Sequence, residues 1–231
     1  MIEDAIVLAG GLGTRLREAV KDLPKPMAPI RGKPFLGYLL DFLARQGVRR
    51  VALSVGYRHE AILGHFGSRY NGLELAYAVE PAPLGTGGGI RLALPLTRGD
   101  DVLVFNGDTH FEFDLAEFVA AHLRHPTLTI ALKAMRDFDR YEVVRIGPAG
   151  RITGFEERGP RAHGLINGGV YALNRAWFLA FPLPDAFSFE ADFLQKRFRT
   201  AEIYGVPMEG AFIDIGIPED YERAQSAVGL P

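Results

Sequence analysis

Gly10, Gly11, Gly13, Thr14 and Arg15 follow the first apolar run in "LAGGLGTRL", and Lys25 stands further on in "LPKPM". Glycines directly after a strand let main-chain N–H groups approach an anion without an intervening Cβ. A helix N-terminus behind them would add the positive end of its dipole, and Arg15 and Lys25 would add fixed charge. The chemistry this suits is the grip on a polyphosphate. Nothing matches the Walker pattern G-x-x-x-x-G-K-[ST], and Leu16 stands where G-x-G-x-x-G needs its third glycine, so a nicotinamide oxidoreductase is a poor fit. The bland alternative is a glycine-rich strand-to-loop turn.

Two aspartates stand after apolar runs, Asp108 in "VFNGDT" and Asp214 in "FIDIG". Two carboxylates brought to one crevice can hold Mg²⁺, a hard cation that takes oxygen ligands and keeps several waters. Either one alone is as readily a turn aspartate. Asp100, Asp101 and Asp114 read as surface or capping residues. Cysteine is absent, which removes disulfides, thiolate metal sites and Cys nucleophiles together. His122 and His125 lie three apart on a helix end and read as a solvated surface, with no third ligand nearby in sequence.

Positioning these residues falls to alternating strands and helices. Continuous Val/Ile/Leu runs at 5–10, 48–57, 73–80, 101–109 and 128–135 read as strands buried on both faces. Helical spacing at 35–47, 59–67, 85–96 and 113–126 separates them. The rhythm predicts a Rossmann-like α/β fold, a three-layer α/β/α sandwich with a mostly parallel central mixed sheet. Its ligand crevice would lie beyond the carboxyl ends of the strands. After about residue 140, short candidates at 141–146, 151–157 and 165–173 suggest an antiparallel extension. A helix at 189–199, a strand at 201–206 and a helix from Pro218 follow. The 231 residues fit one domain, with a first part at 1–135 and a second at 136–231. A formal charge of −2 gives no global field for nucleic acid or an anionic membrane. No apolar stretch is long enough to span a bilayer, and acids stand where a signal peptide needs bases. A cytoplasmic monomer or homodimer is expected.

The ordered segments "LAGGLGTRL…LPKPMAPIRGKP", "EPAPLGTGGGI", "VFNGDT", "FEER", "INGGVY" and "FIDIGIPEDY" resemble the sugar-1-phosphate nucleotidyltransferases over nearly the whole chain. The resemblance implies that family's GT-A-like fold. It also implies transfer of a nucleoside monophosphate to a sugar 1-phosphate with release of pyrophosphate. It selects Asp108 and Asp214 as the Mg²⁺ pair and Arg15, Lys25 and Asp108 as the catalytic groups. Leu8, Gly10, Gly11, Gly13, Thr14, Arg15, Glu80, Gly85, Thr86 and Asp108 would bind the nucleotide. Lys25, Tyr141, Glu157, Arg158, Asn167 and Gly168 would bind the sugar phosphate. Arg158 stands where relatives usually carry Lys, and Glu142 replaces the Gly of the family's "RYG" sugar motif.

The resemblance places Glu80 at the position that reads the base in that family. A carboxylate matches the two neighbouring donors of guanine, N1–H and the 2-amino group, and sets itself against the O4 acceptor of uracil or thymine. GTP is therefore the expected donor, although a strand-end acid facing water is the bland reading. "SVGY", "LKAMRDFDRY" and "FSFEADFL" are most similar to the heptose 1-phosphate guanylyltransferases of that family, implying heptose 1-phosphate as acceptor and a GDP-heptose as product. The rivals are a mannose-1-phosphate guanylyltransferase, a uridylyltransferase, and a nucleotide-sensing module without turnover.

Overall fold

The computed structural model describes residues 1–11 and 23–226. In chain order the elements are β1 (Asp4–Ala9), β2 (Pro29–Ile30), β3 (Lys33–Pro34), α1 (Phe35–Arg45), β4 (Arg50–Val55), α2 (His59–Phe66), β5 (Arg69–Tyr70), β6 (Leu73–Val79), α3 (Gly85–Ala93) and β7 (Asp101–Asn106). Then come β8 (Thr109–Glu112), α4 (Leu115–His122), β9 (Leu128–Phe138), β10 (Val143–Ile146), β11 (Ile152–Glu156), β12 (Arg161–Asn174) and α5 (Arg175–Leu179). A π-helical turn (Phe189–Leu194), α6 (Gln195–Arg197), β13 (Ile203–Met208), β14 (Ala211–Asp214) and α7 (Pro218–Ser226) follow.

One ten-stranded sheet runs β11-β10-β12-β7-β1-β4-β6-β5, with β9 joining β12 to β13. β1 pairs in parallel with both β4 and β7, and β4 with β6. β12 runs antiparallel to β7 and β9, which makes the sheet mixed. Alternation along the strands sorts the core into two layers. Ala5, Val7 and Ala9 face α1 and α4, through Phe42 and Phe118. Ile6 and Val104 face α3 and the π-helical turn, through Ile90, Phe189 and Phe193. Each Val, Ile or Phe side chain among them taken fully out of water contributes about 1.5–3 kcal/mol. Truncation of the fully buried Phe189, stacked on Phe193, would cost about 3–5 kcal/mol.

Four differences from the sequence expectations have physical causes. The strand expected at 101–109 ends at Asn106, because the chain turns there and resumes as β8. Gly107 donates its N–H to the Leu8 carbonyl at 2.9 Å, and a Cβ at 107 would lie 2.5 Å from that oxygen. The helix expected at 189–199 opens with a π-helical turn capped by Ser188, whose Oγ accepts from the Ala191 N–H. His122 is not a solvated surface residue: it is fully buried, with Nδ1 3.0 Å from Thr129 Oγ1 and Nε2 3.4 Å from Asp101 Oδ1. Asp101 also accepts from Asn174 Nδ2 at 2.9 Å, so it is half-buried structure rather than surface. Asp114 caps α4 as expected, accepting from the Ala116 and Glu117 N–H groups.

Candidate active site

Strand order reverses at β1, since β4 and β6 lie on one side and β7 on the other. Open α/β sheets bind ligands at such a switch point, beyond the carboxyl ends of the strands. Gly10 and Gly11 follow β1 there, and Asp108 follows β7. Between them opens a cavity of about 450 Å³ lined by Leu8, Gly10, Gly11, Lys25, Glu80, Gly85, Thr86, Asn106 and Asp108 among others. Among the described residues nothing lies within 4 Å of where a Cβ on Gly11 would stand. Gly13, Thr14 and Arg15 lie outside the described residues.

The two expected metal ligands meet through a pairing the sequence did not reveal. β14 runs antiparallel to β8 with Asp214 opposite Thr109, and the Ile215 N–H donates to the Asp108 carbonyl at 3.0 Å. Lys25 Nζ contacts Asp108 Oδ2 at 2.5 Å, with the lysine side chain largely buried. Asp214 accepts from Tyr141 OH at 3.1 Å, from Arg140 at 3.4 Å and from the Gly216 N–H at 2.6 Å. Arg140 is also paired with Asp220 on α7, which ties this corner to the helix. Burial, and then the charge of Asp108, push the Asp214 carboxyl above the usual carboxylate range, against the opposing pull of Lys25. Burial, followed by the Asp214 charge, likewise raises the Tyr141 hydroxyl, which keeps it a donor. Two crowded carboxylates with oxygen-only donors suit a hard divalent cation. Among the described residues no group of three or more His, Asp or Glu side chains surrounds a common point.

Glu80 is held from two sides. Its Oε1 accepts from Ser54 Oγ at 2.9 Å and its Oε2 from the Leu84 N–H at 3.1 Å. A Cβ on Gly10 would lie 2.1 Å from Oε1, so Gly10 makes room for this carboxylate. Each carboxylate oxygen keeps a lone pair for a further donor. Gly85 has φ +72° with the Phe187 carbonyl against it, so only glycine fits there. Thr86 Oγ1 donates to Glu190 Oε2 at 2.6 Å and accepts from the Phe189 N–H at 2.8 Å. Its hydroxyl therefore anchors the π-helical turn from the wall of the cavity.

Glu190 is a residue that sequence reasoning quoted only within "FSFEADFL" and gave no role. Besides Thr86 it accepts from Tyr171 OH at 3.1 Å, and that hydroxyl accepts from Asn167 Nδ2 at 2.9 Å. Asn167 Oδ1 accepts from the Gly169 N–H at 3.0 Å. This relay joins the wall of the cavity to the strand that carries the expected sugar contacts. Burial, and then Glu190, push the Tyr171 hydroxyl well up, so it too stays protonated. Asn106 was also missed: it lines the cavity, and its buried Oδ1 has no hydrogen-bond partner among the described residues. Its apolar strand context gave no signal.

The remaining expected residues are more dispersed. Glu157 and Arg158 follow β11 on an exposed turn, do not line the cavity, and make no hydrogen bond or ion pair among the described residues. A Cβ on Gly168 would lie 2.7 Å from Phe111 and 2.8 Å from the Ala131 carbonyl, so packing of the sheet requires this glycine, whatever approaches it. Glu142 accepts from Gln195 Nε2 at 2.6 Å and is thereby fixed to α6.

Comparison with known proteins finds relatives along nearly the whole chain. Residues 4–229 match the family model described as nucleotidyl transferase. The chain is 48% identical over 223 residues to a D-glycero-alpha-D-manno-heptose 1-phosphate guanylyltransferase of Aneurinibacillus thermoaerophilus, covering 96% of each. It is 43% identical to the enzyme of that name in Campylobacter jejuni, covering 94% of this chain and 96% of the relative. The crystal structure of HddC from Yersinia pseudotuberculosis complexed with GMP-PN superposes with a TM-score of 0.87 at 38% identity, covering 97% of this chain and 99% of that one. The chain belongs to the nucleotidyl transferase family of sugar-1-phosphate guanylyltransferases.

Proposed function

We propose that this enzyme transfers GMP from GTP to D-glycero-α-D-manno-heptose 1-phosphate, forming GDP-heptose and pyrophosphate. The observation that carries the reading is the meeting of Asp108, Asp214 and Lys25 at the mouth of a cavity walled by Gly10, Gly11 and Glu80. A phosphate oxygen of the sugar 1-phosphate attacks the α-phosphorus of GTP. One P–O bond forms there as the bond to the β-phosphate oxygen breaks, and the electron pair leaves with pyrophosphate. The attacking oxygen is already anionic, so no general base is needed, and catalysis rests on alignment and charge stabilisation. Lys25 neutralises charge on the phosphates once Asp108 is shared with a cation. Arg15 and the glycine backbone hold the triphosphate, and Glu80 accepts from guanine. Mg²⁺ held by Asp108 and Asp214 would neutralise charge on the phosphate oxygens. Tyr141, by donating to Asp214, keeps that carboxylate oriented. No helix among the described residues is long and apolar enough to cross a membrane. We place the enzyme in the cytoplasm, where its GTP is made.

A turnover panel tests the assignment. Pyrophosphate release is measured for heptose 1-phosphate and mannose 1-phosphate against GTP, UTP, dTTP, ATP and CTP, with and without Mg²⁺. Heptose 1-phosphate with GTP and Mg²⁺ should give the highest kcat/KM. More efficient use of mannose 1-phosphate, or of UTP, would overturn the substrate assignment.

A further inference from the structure

The "RYG" departure at Glu142 stands in a telling place. β10 pairs with β12 at Val143↔Ile166 and with β11 at Val143↔Glu156, both antiparallel. Continuing that register by one residue sets Glu142 opposite Asn167 on one side and opposite Glu157 on the other. Residues directly opposite across strands share a face, so the three polar side chains form one row. Strands lie about 5 Å apart, so the row spans about 10 Å. The same face carries Val144, Phe155 and Leu165 two residues further along, packed in the layer that contains Phe189 and Phe193. The π-helical turn and α6 reach Glu142 and Asn167, whereas Glu157 stays exposed, and two bonds show it. Gln195 donates to Glu142 Oε2 at 2.6 Å, and Glu190 holds Asn167 through Tyr171.

The row begins beside the chemistry. A Cβ on Gly169 would lie 3.1 Å from Asn106 Nδ2, and Asn106 lines the nucleotide cavity two residues before Asp108. From there the polar groups lead away through Asn167 to Glu142 and then Glu157. Glu142 Oε2 is occupied by Gln195, whereas Oε1 has no partner among the described residues. A carboxylate fixed by one oxygen and open at the other is an acceptor suited to a hydroxyl, and one that Gly at this position could not supply.

We infer that Glu142, braced by Gln195, is a specificity-determining residue that accepts hydroxyls from the exocyclic polyol end of the acceptor sugar. This rests on the proposed heptose 1-phosphate reading and deepens it. A heptose carries one more exocyclic hydroxyl-bearing carbon than a hexose, and so one more hydroxyl for such an acceptor to meet.

Glu142→Gly and Gln195→Ala, each in the full chain, test this with GTP and Mg²⁺ against heptose 1-phosphate and mannose 1-phosphate. Residue 142 lies outside the regular strand, so glycine there leaves the pairing intact. Glu142→Gly should lower kcat/KM for the heptose about 10- to 100-fold, chiefly through KM, the loss typical of a charge-assisted hydrogen bond. Mannose 1-phosphate and the KM for GTP should stay within about twofold. Gln195→Ala should shift the same ratio less, and Glu142→Gln should restore part of it. Equal losses for both sugars would make Glu142 a brace for β10 only, and unchanged selectivity would remove it from the sugar site. Absence of wild-type turnover with the heptose would instead overturn the substrate reading along with this inference.

Discussion

The two ends of β1 use charge in opposite ways. At the amino end Asp4 is buried, and its carboxylate accepts from Arg50 Nε at 2.7 Å and from the Gly99 N–H at 2.8 Å. Burial raises its pKa, but Arg50 and the backbone donors of Gly99 and Arg98 outweigh this and hold it below the usual range. At the carboxyl end Asp108 and Asp214 are crowded together, Lys25 serves mainly one of them, and Asp214 is pushed up. At the amino end one carboxylate is satisfied by Arg50 and two backbone donors; at the carboxyl end, among the described residues, two crowded carboxylates face Lys25 and Arg140, and Arg140 is shared with Asp220. On the proposed reading the carboxyl-end cluster takes a cation-bridged ligand, whereas the amino-end pair serves stability.

The contrast can be broken by mutation. Asp108→Asn should reduce turnover with GTP about 10²- to 10³-fold and leave thermal unfolding near wild type. Near-normal kinetics would remove Asp108 from the site. Glu80→Gln should narrow the kcat/KM ratio of GTP over UTP about 10- to 100-fold. An unchanged ratio would make Glu80 only the brace of Ser54 and the Leu84 turn. Asp4→Asn should do the reverse of Asp108→Asn, costing about 2 kcal/mol in denaturant unfolding with kcat preserved. Because the folded pKa of Asp4 is depressed, its stabilisation is present above the unfolded value and is lost as pH falls through the folded one. The stability gap between wild type and Asp4→Asn should therefore be full at neutral pH and shrink below about pH 4.

What the sequence made legible follows the same division. Strands β1, β4 and β7 could be read because their apolar runs are continuous and local, and the glycines after β1 could be read because they stand together. The β8–β14 pairing could not, since each strand has four residues and the partners are about a hundred positions apart. Asp214 was thus chosen by family resemblance, and its approach to Asp108 became physical only in the fold. His122 looked solvated because its partners, Thr129 and Asp101, belong to other strands. Glu190 carries no periodic or motif signal of its own, yet it accepts from three hydroxyls, those of Thr86, Tyr171 and Ser188.

Calorimetric titration of the purified protein with a non-hydrolysable GTP analogue, with and without Mg²⁺, tests the central claim most directly. The account predicts association that strengthens with Mg²⁺ in wild type and loses that strengthening in Asp108→Asn. No heat of association in wild type, or an equal Mg²⁺ effect in both proteins, would contradict it.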